Sequence, residues 1–300
     1  MFSRRAFLST LGATAVSTFG LSSYALAVEP RFRLVVTPYR VRPANWPAGG
    51  KPLRIAAIAD IHACDPWMPV SRIERIVLRT NALKPDIIVL LGDYMTGAFP
   101  SNPVPAAAWG RALGRLKAPL GVHAVLGNHD LWHDPDAARS ALADNGIPVM
   151  ENHAVLIHRD EGPEFWLAGL GDQWARPLGR GRFDGDDDLP GTLARIPHAD
   201  GNPIVLLAHE PDIFVSVPAR VSLTLSGHTH GGQVAVPYFG RPVVPSAYGG
   251  RLAYGHIVED GRNMVVSGGL GCSALPVRFR VPPEIVLVEV GGEPAMAAAA

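Results

Sequence analysis

The sequence predicts a single α/β domain, and three observations carry that expectation. Short apolar runs of strand length recur along the chain, and several stop at an aspartate, asparagine or histidine. Between the first of these runs lie segments with apolar residues at helical spacing, which makes successive strands parallel through helical crossovers. Gly 32 and Pro 28 put much of the remainder in loops, as suits a site built at strand ends. With 300 residues and 47% apolar composition, the chain can bury a large core.

The N-terminus reads as an address. Ser3-Arg4-Arg5-Ala6-Phe7-Leu8 leads into a mildly apolar stretch, residues 6–27, diluted by Gly, Ser and Thr and closed by Ala25-Leu26-Ala27. This resembles a twin-arginine signal with a cleavage site, and its glycines and hydroxyls argue against a spanning anchor. The expected layout is a signal at residues 1–27, a domain at 28–292 and a disordered tail at 293–300. The twin-arginine export machinery is then a partner, and the location is periplasmic or cell-envelope associated. Formal net charge is +0, and −2 without Arg4 and Arg5. Neither nucleic acid nor a polybasic membrane anchor is expected, which leaves membrane contact transient.

Residues 31–36 and 53–59 read as strands, the second a nearly continuous apolar run buried on both faces. It ends in Asp60-Ile61-His62, where the aspartate is either a helix cap or, with His62, half of a chelate at the carboxyl end of a strand. Val70, Ile73, Ile76, Val77 and Leu83 follow at near-helical spacing, and residues 86–91 form a second apolar run ending in Gly92-Asp93. A right-handed crossover brings Asp60 and Asp93 to one sheet edge. Two buried carboxylates side by side ask for a cation.

The pattern repeats with a helix over 104–116, a strand over 121–126, and Gly127-Asn128-His129-Asp130. Asp134-Pro135 starts another helix, which stops near Asn145-Gly146. Residues 154–157 and 164–168 fit hairpin strands of a second sheet. Residues 179–191 read as a solvated loop, since Asp184, Asp186, Asp187 and Asp188 lack the register and closing Glu of a calcium loop. Two last apolar runs, 203–208 and 221–225, end in His209 and in Gly227-His228-Thr229-His230-Gly231-Gly232. Two imidazoles in a glycine turn point to a metal or to a polar turn.

Taken in order and spacing, Asp60-x-His62, Gly92-Asp93, Gly127-Asn128-His129-Asp130, His209 and Gly227-His228-Thr229-His230 resemble the calcineurin-like metallophosphoesterase family over roughly residues 53–232. The Gly-Gly-Gln at 231–233 and residues 267–283 resemble its exported, twin-arginine bacterial branch. The resemblance implies a four-layer α/β/β/α sandwich with two divalent metals at the carboxyl edges of the strands. It implies that Asp60, His62 and His230 hold one metal, that Asn128, His209 and His228 hold the other, and that Asp93 bridges them. It further implies that His129 faces the substrate with Asp130 orienting it, and that a hydroxide shared by the metals attacks a phosphodiester or pyrophosphate bond.

Mixed imidazole and carboxylate ligation suits Mn, Fe or Zn better than Ca or Mg. The alternatives are a phosphomonoesterase and a non-catalytic metal-dependent binding protein on the same fold. A metallo-β-lactamase-like enzyme, which would want a His-x-His-x-Asp-His run, is disfavoured because residues 228–233 read His-Thr-His-Gly-Gly-Gln. His123, His133, His153, His158, His198 and His256 lack a partner motif and read as surface or core. Two apolar loops, 66–70 and 236–240, adjoin the motifs. They form either a groove for a lipid-linked substrate or a cluster packing the loops on each other. Cys64 and Cys272, which the family pattern brings to the same edge, are either free buried thiols or one disulfide.

Overall fold

The computed structural model describes residues 4, 17–95 and 100–292. The expected tail at 293–300 and most of the expected signal, residues 1–3 and 5–16, lie outside the described residues. No helix among those described is long and apolar enough to cross a membrane.

Two sheets face each other. The strands of the first are β1 (Val35–Val41), β2 (Leu53–Ile58), β3 (Ile87–Leu91), β4 (Val122–Val125) and, from the far end of the chain, β11 (Glu284–Val290), in the order β1-β11-β2-β3-β4. β2, β3 and β4 are parallel, whereas β11 runs antiparallel to β2 and parallel to β1. The second sheet has the order β9-β10-β8-β7-β6-β5. Its strands are β5 (His153–Ile157), β6 (Phe165–Gly169), β7 (Ile204–Leu207), β8 (Leu223–Ser226), β9 (Gly255–Glu259) and β10 (Arg262–Val266). β6, β7, β8 and β10 are parallel, and β5 and β9 close the two edges as antiparallel hairpin partners.

Period-two alternation divides the apolar side chains between layers. On β2, Ile55 and Ala57 pack between the sheets against Leu167, Val205 and Val265, while Ala56 and Ile58 face outward. The outward set buries helices α1 (Val70–Ala82), α2 (Ala106–Leu113) and α4 (Pro135–Ala143) through Ile73, Ile76, Trp109 and Leu142. On the opposite side Leu206, Met264 and Val266 pack on Leu193 of α5 (Leu189–Ala194) and on Phe214 and Leu252. Three apolar interfaces between four layers make the α/β/β/α sandwich that the family resemblance implies.

Local chemistry explains the element ends. The Asp134 carboxylate caps α4 through Ala137 N (2.9 Å), with Pro135 at its first turn. Three expectations need correction. Residues 31–36 are not one strand, because Pro30 opens a helical turn over Glu29–Phe32 and the strand starts at Val35. Residues 179–191 are not all loop: Arg182–Asp184 pairs with Arg176–Gly179, and Asp188 caps α5 by accepting from Gly191 N. Arg176 binds Asp184 and Asp186, which gives those acids an ion-pairing role. Finally, Met68 of the 66–70 loop is fully buried in the core and is no part of a groove.

Candidate metal centre

Backbone geometry builds the centre before any side chain is considered. Past the end of β2, Asp60 N donates to Gly92 O and His62 N to Asp93 O, so the two strand ends stay paired through residues with left-handed backbone, Asp60 (φ 53), His62 (φ 47) and Asp93 (φ 58). Non-glycine residues in that region are costly and concentrate at functional sites. His228 (φ 66) and His230 (φ 51) repeat the device after β8, so it is the histidines themselves, as much as the neighbouring glycines, that turn the chain. Gly92 (φ 91) has no room for a side chain, since a Cβ there would sit 2.6 Å from Gly127 N.

Asp130, at the start of α3 (Asn128–His133), fixes this frame. One of its carboxylate oxygens accepts from Asp93 N (2.9 Å) and Gly127 N (3.0 Å), the other from Tyr94 N (2.9 Å) and Met95 N (3.0 Å). Among the hydrogen bonds of the described residues none joins Asp130 to the His129 ring. The expectation that Asp130 orients His129 is therefore corrected: it positions the Asp93 turn, and both its oxygens are occupied by backbone N–H groups. Burial, with Asp93 nearby, pushes its pKa up to about 7.

All seven expected ligand residues are buried and converge. Single ligand atoms from Asp60, His62, Asp93 and His230 lie within 4.8 Å of one another, and so do those from Asp93, His209 and His228. The two groups share Asp93. Asp93 Oδ2 is 3.5 Å from His62 Nε2 and 3.3 Å from His209 Nε2. Asn128 Oδ1 lies 3.0 Å from His228 Nδ1, joining the second group. Backbone carbonyls orient two of the rings: Met95 O accepts from His62 Nδ1 (2.8 Å) and Leu91 O from His209 Nδ1 (2.6 Å). Each donation leaves Nε2 as the nitrogen aimed at the centre.

Burial drives His62 and His228 down to about 3, so both rings are neutral. Burial also raises Asp60 to about 7, against the pull of His209. Asp93 resists burial: His209 and His129 beside it hold its carboxyl well below the usual range, and Asp93 in turn holds His209 well above the usual imidazole range.

The donor set fits divalent cations. Asp60 Oδ2 is buried without a partner, and the Nε2 atoms of His62 and His230 face each other at 3.0 Å. Orphaned or mutually opposed donor atoms at this depth demand an occupant.

His129 lies beside the groups without joining them. Its backbone N donates to Asp93 Oδ1 (2.9 Å), its ring stands edge-on to His62 at 4.8 Å, and its Nε2 is 3.4 Å from Ser273 Oγ. Of the other histidines, His123 bonds Leu120 O, His158 Glu164, His198 Arg220 and His256 Asn263, all outside the centre. Cys64 and Cys272 are both free and buried.

Three features escaped the sequence reading. Trp132, Phe183 and Trp174 form a stack, with ring separations of 5.9 and 4.3 Å, that reaches from His129 to His228. Arg278 is fully buried, donates to Gly271 and Val281 carbonyls and lies 3.3 Å from His230 Nδ1. Asp172 and Glu210 make a second buried acid pair next to His209. A signal for Asp172 existed, because Gly171-Asp172 follows an apolar run just as Gly92-Asp93 does.

Comparison with known proteins identifies the family. The calcineurin-like phosphoesterase family matches residues 53–232. The chain is 31% identical over 291 residues to the metallophosphoesterase YkuE of Bacillus subtilis, covering 95% of this chain and 96% of that one. It is 30% identical over 296 residues to the phosphodiesterase YaeI of Escherichia coli, covering 97% and 100%. Among solved structures, the calcineurin-like phosphoesterase YfkN of Bacillus subtilis superposes with a TM-score of 0.46 at 17% identity, over 73% of this chain and 83% of that one. The chain belongs to the calcineurin-like phosphoesterase family.

Proposed function

We propose that the chain is an exported di-metal phosphodiesterase that hydrolyses a phosphodiester or pyrophosphate bond in a substrate with an apolar portion. One observation carries the reading: two buried donor groups, within 4.8 Å each, share the single carboxylate Asp93. On this reading Asp60, His62 and His230 hold one cation, Asn128, His209 and His228 the other, and Asp93 serves both. Mn, Fe and Zn are the candidates. When bound, two such ions acidify a shared water and neutralise phosphoryl oxygens.

The chain's own residues do the rest. The carboxylates of Asp60 and Asp93 offset half of the charge of two divalent ions and leave a net positive site for a phosphoryl group. The Asp130 clamp holds Asp93 in place while substrate charge arrives. His129, outside the ligand groups, offers an N–H to the leaving oxygen or to the equatorial oxygens, a contribution worth about 10² to 10⁴ in rate. A diester is favoured over a monoester because Arg278, the guanidinium that reaches the cluster, is occupied by carbonyls and by His230. Arg278 is thus not free to meet a monoester's second negative charge, which would fall to the metals alone. The relative YaeI, named a phosphodiesterase, points the same way.

The test is turnover by protein reconstituted with Mn, Fe or Zn. Bis(p-nitrophenyl) phosphate should exceed p-nitrophenyl phosphate in kcat/KM; the reverse order would move the activity to monoesters. Absence of turnover on both, with two metals bound, would favour a binding protein.

Export belongs to the same proposal and rests on Ser3-Arg4-Arg5 and Ala25-Leu26-Ala27. Residues 28–292 are then the mature domain, in the periplasm or cell envelope, with transient membrane contact. The buried Glu29 carboxylate accepts from Val281 N (2.7 Å), so processing after Ala27 keeps that tie, while the bond from Arg278 N to Ala25 O is lost. Arg4→Lys with Arg5→Lys should leave the precursor in the cytosol, and normal export of that variant would refute the route.

A further inference from the structure

Beside the metal centre lies a cavity of about 400 Å³, walled by Val234, Val243, Pro245, Leu275 and Val277 and reaching the buried His230. His230 is thus common to the cavity and to the donor group around Asp93. A chain seated in the cavity would lie against His230, one imidazole ring from a phosphoryl group at the centre. The 66–70 and 236–240 loops, which the sequence offers as either an apolar groove or a cluster packing on itself, do not line it. Trp67 Nε1 donates to Pro100 O, and Phe239 is 84% exposed at the tip of a turn.

Thr229 and Gln233, two of the polar side chains on the cavity wall, are already engaged. Thr229 Oγ1 donates to Ala253 O (2.7 Å). The Gln233 amide donates to Ser273 O (3.1 Å) and Leu275 O (3.2 Å), and its carbonyl accepts from Ser273 N (2.7 Å). These bonds also clasp the 273–275 segment to the turn that carries His230. A sugar or a base entering here would shed water and gain few hydrogen bonds in return, which is costly. A hydrocarbon loses nothing by the same move and gains the burial of its methylenes. Val243 and Leu275 remain 72% and 60% exposed at the mouth, so the cavity opens to solvent and admits a chain from outside.

We propose that this cavity seats a hydrocarbon chain esterified to the scissile phosphate, so that the substrate is an alkyl or lipid phosphodiester. The inference rests on the phosphodiesterase reading and adds the location and chemistry of the apolar portion.

The experiment uses metal-reconstituted full-length protein and alkyl p-nitrophenyl phosphates from methyl to dodecyl, each below its micelle concentration. The leaving group is constant across the series, so only the chain varies. The expected result is a rise in kcat/KM of about fourfold per methylene until the cavity is full. Leu275→Trp and Val277→Phe, which fill the cavity, should flatten that slope, and Phe239→Ala, which lies outside it, should not. A wild-type enzyme that turns over the methyl ester with no dependence on chain length overturns the inference and leaves the phosphodiesterase reading intact. A slope that survives in both filling variants, each verified to hold two metals, overturns the cavity as the seat. Failure to hydrolyse any member of the series, alongside turnover of p-nitrophenyl phosphate, overturns the phosphodiesterase reading and the inference with it.

Discussion

Two pairs of buried acids stand at the same edge of the sandwich, Asp60 with Asp93 and Asp172 with Glu210, and their surroundings differ in kind. The first pair faces imidazoles: His62 and His209 within 3.5 Å of Asp93 and His230 3.7 Å from Asp60. The second is turned toward the backbone. Glu210 accepts from Gln173 N (3.0 Å) and Asp172 from Trp174 N (2.7 Å), and His209 is the ring nitrogen that reaches both. Burial, then the Glu210 charge, raises Asp172 well above the carboxylate range, while Asp172 Oδ2 and Glu210 Oε1 are buried without a partner. The lesson is that convergence of buried carboxylates does not by itself imply a cation, because protonation solves the same electrostatic problem. What separates the pairs is the number of neutral ring nitrogens turned toward them.

The largest effect should come from breaking the first pair. Asp93→Asn removes the one carboxylate common to both donor groups, so both metals and activity should be lost together, the latter by about 10³-fold or more. Elemental analysis showing two metals in a variant with near wild-type turnover would erase the distinction between the pairs.

Next is the clamp. Asp130→Ala would strand the N–H groups of Asp93, Tyr94, Met95 and Gly127, each at about 1–3 kcal/mol if left without an acceptor. Thermal unfolding should move down by many degrees and metal content should fall, though no proposed ligand has been touched. Unchanged melting temperature and metal content would show that the left-handed Asp93 turn holds itself.

A smaller and more selective loss is expected at His129, which touches the first pair through its backbone yet contributes no ligand atom. His129→Ala should keep both metals and slow turnover by roughly 10², less for esters with acidic leaving groups. Equal losses for all leaving groups would remove the proton-donor role and leave charge stabilisation.

How much of this was legible follows from how local each feature is. Strands β2, β3 and β7 were readable because burial on both faces leaves nearly unbroken apolar runs, and β4 and β8, interrupted by His123 and Thr224, because a ligand motif follows each. The insertion of β11 between β1 and β2 was not readable, since nothing in 284–290 says which strands it will join. The turn over Asn128–His133 is helical because Asp130 reaches back to Gly127 N (3.0 Å), a signal present in the sequence but masked by its resemblance to a ligand motif. Arg278 could not be anticipated, because its partners are main-chain carbonyls. Asp172 could have been, from Gly171-Asp172 after an apolar run, but the same signature serves both a candidate ligand and a buried acid that accepts from the backbone.

That ambiguity gives the smallest and most informative prediction. In Glu210→Gln the amide can donate to Asp172, while its carbonyl still accepts from Gln173 N. The hydrogen bonds are thus conserved and one buried acid becomes neutral. Replacing a buried ionisable group by a neutral isostere with its partners intact is close to neutral for stability, so unfolding free energy should change by no more than about 1 kcal/mol. Metal content should stay at two, with turnover within a few-fold of wild type, because the His209 ring, whose Nε2 is directed at Asp93, is held through Nδ1 by Leu91 O (2.6 Å) rather than by Glu210. The contrary result is equally clear. Carboxylate oxygens of Asp172 and Glu210 lie within 4.8 Å of a His209 nitrogen, close enough to ligate. If Glu210→Gln lowers metal occupancy while Asp172 and His209 remain, the second pair is part of the metal centre, and the contrast between imidazole-facing and backbone-facing acids fails.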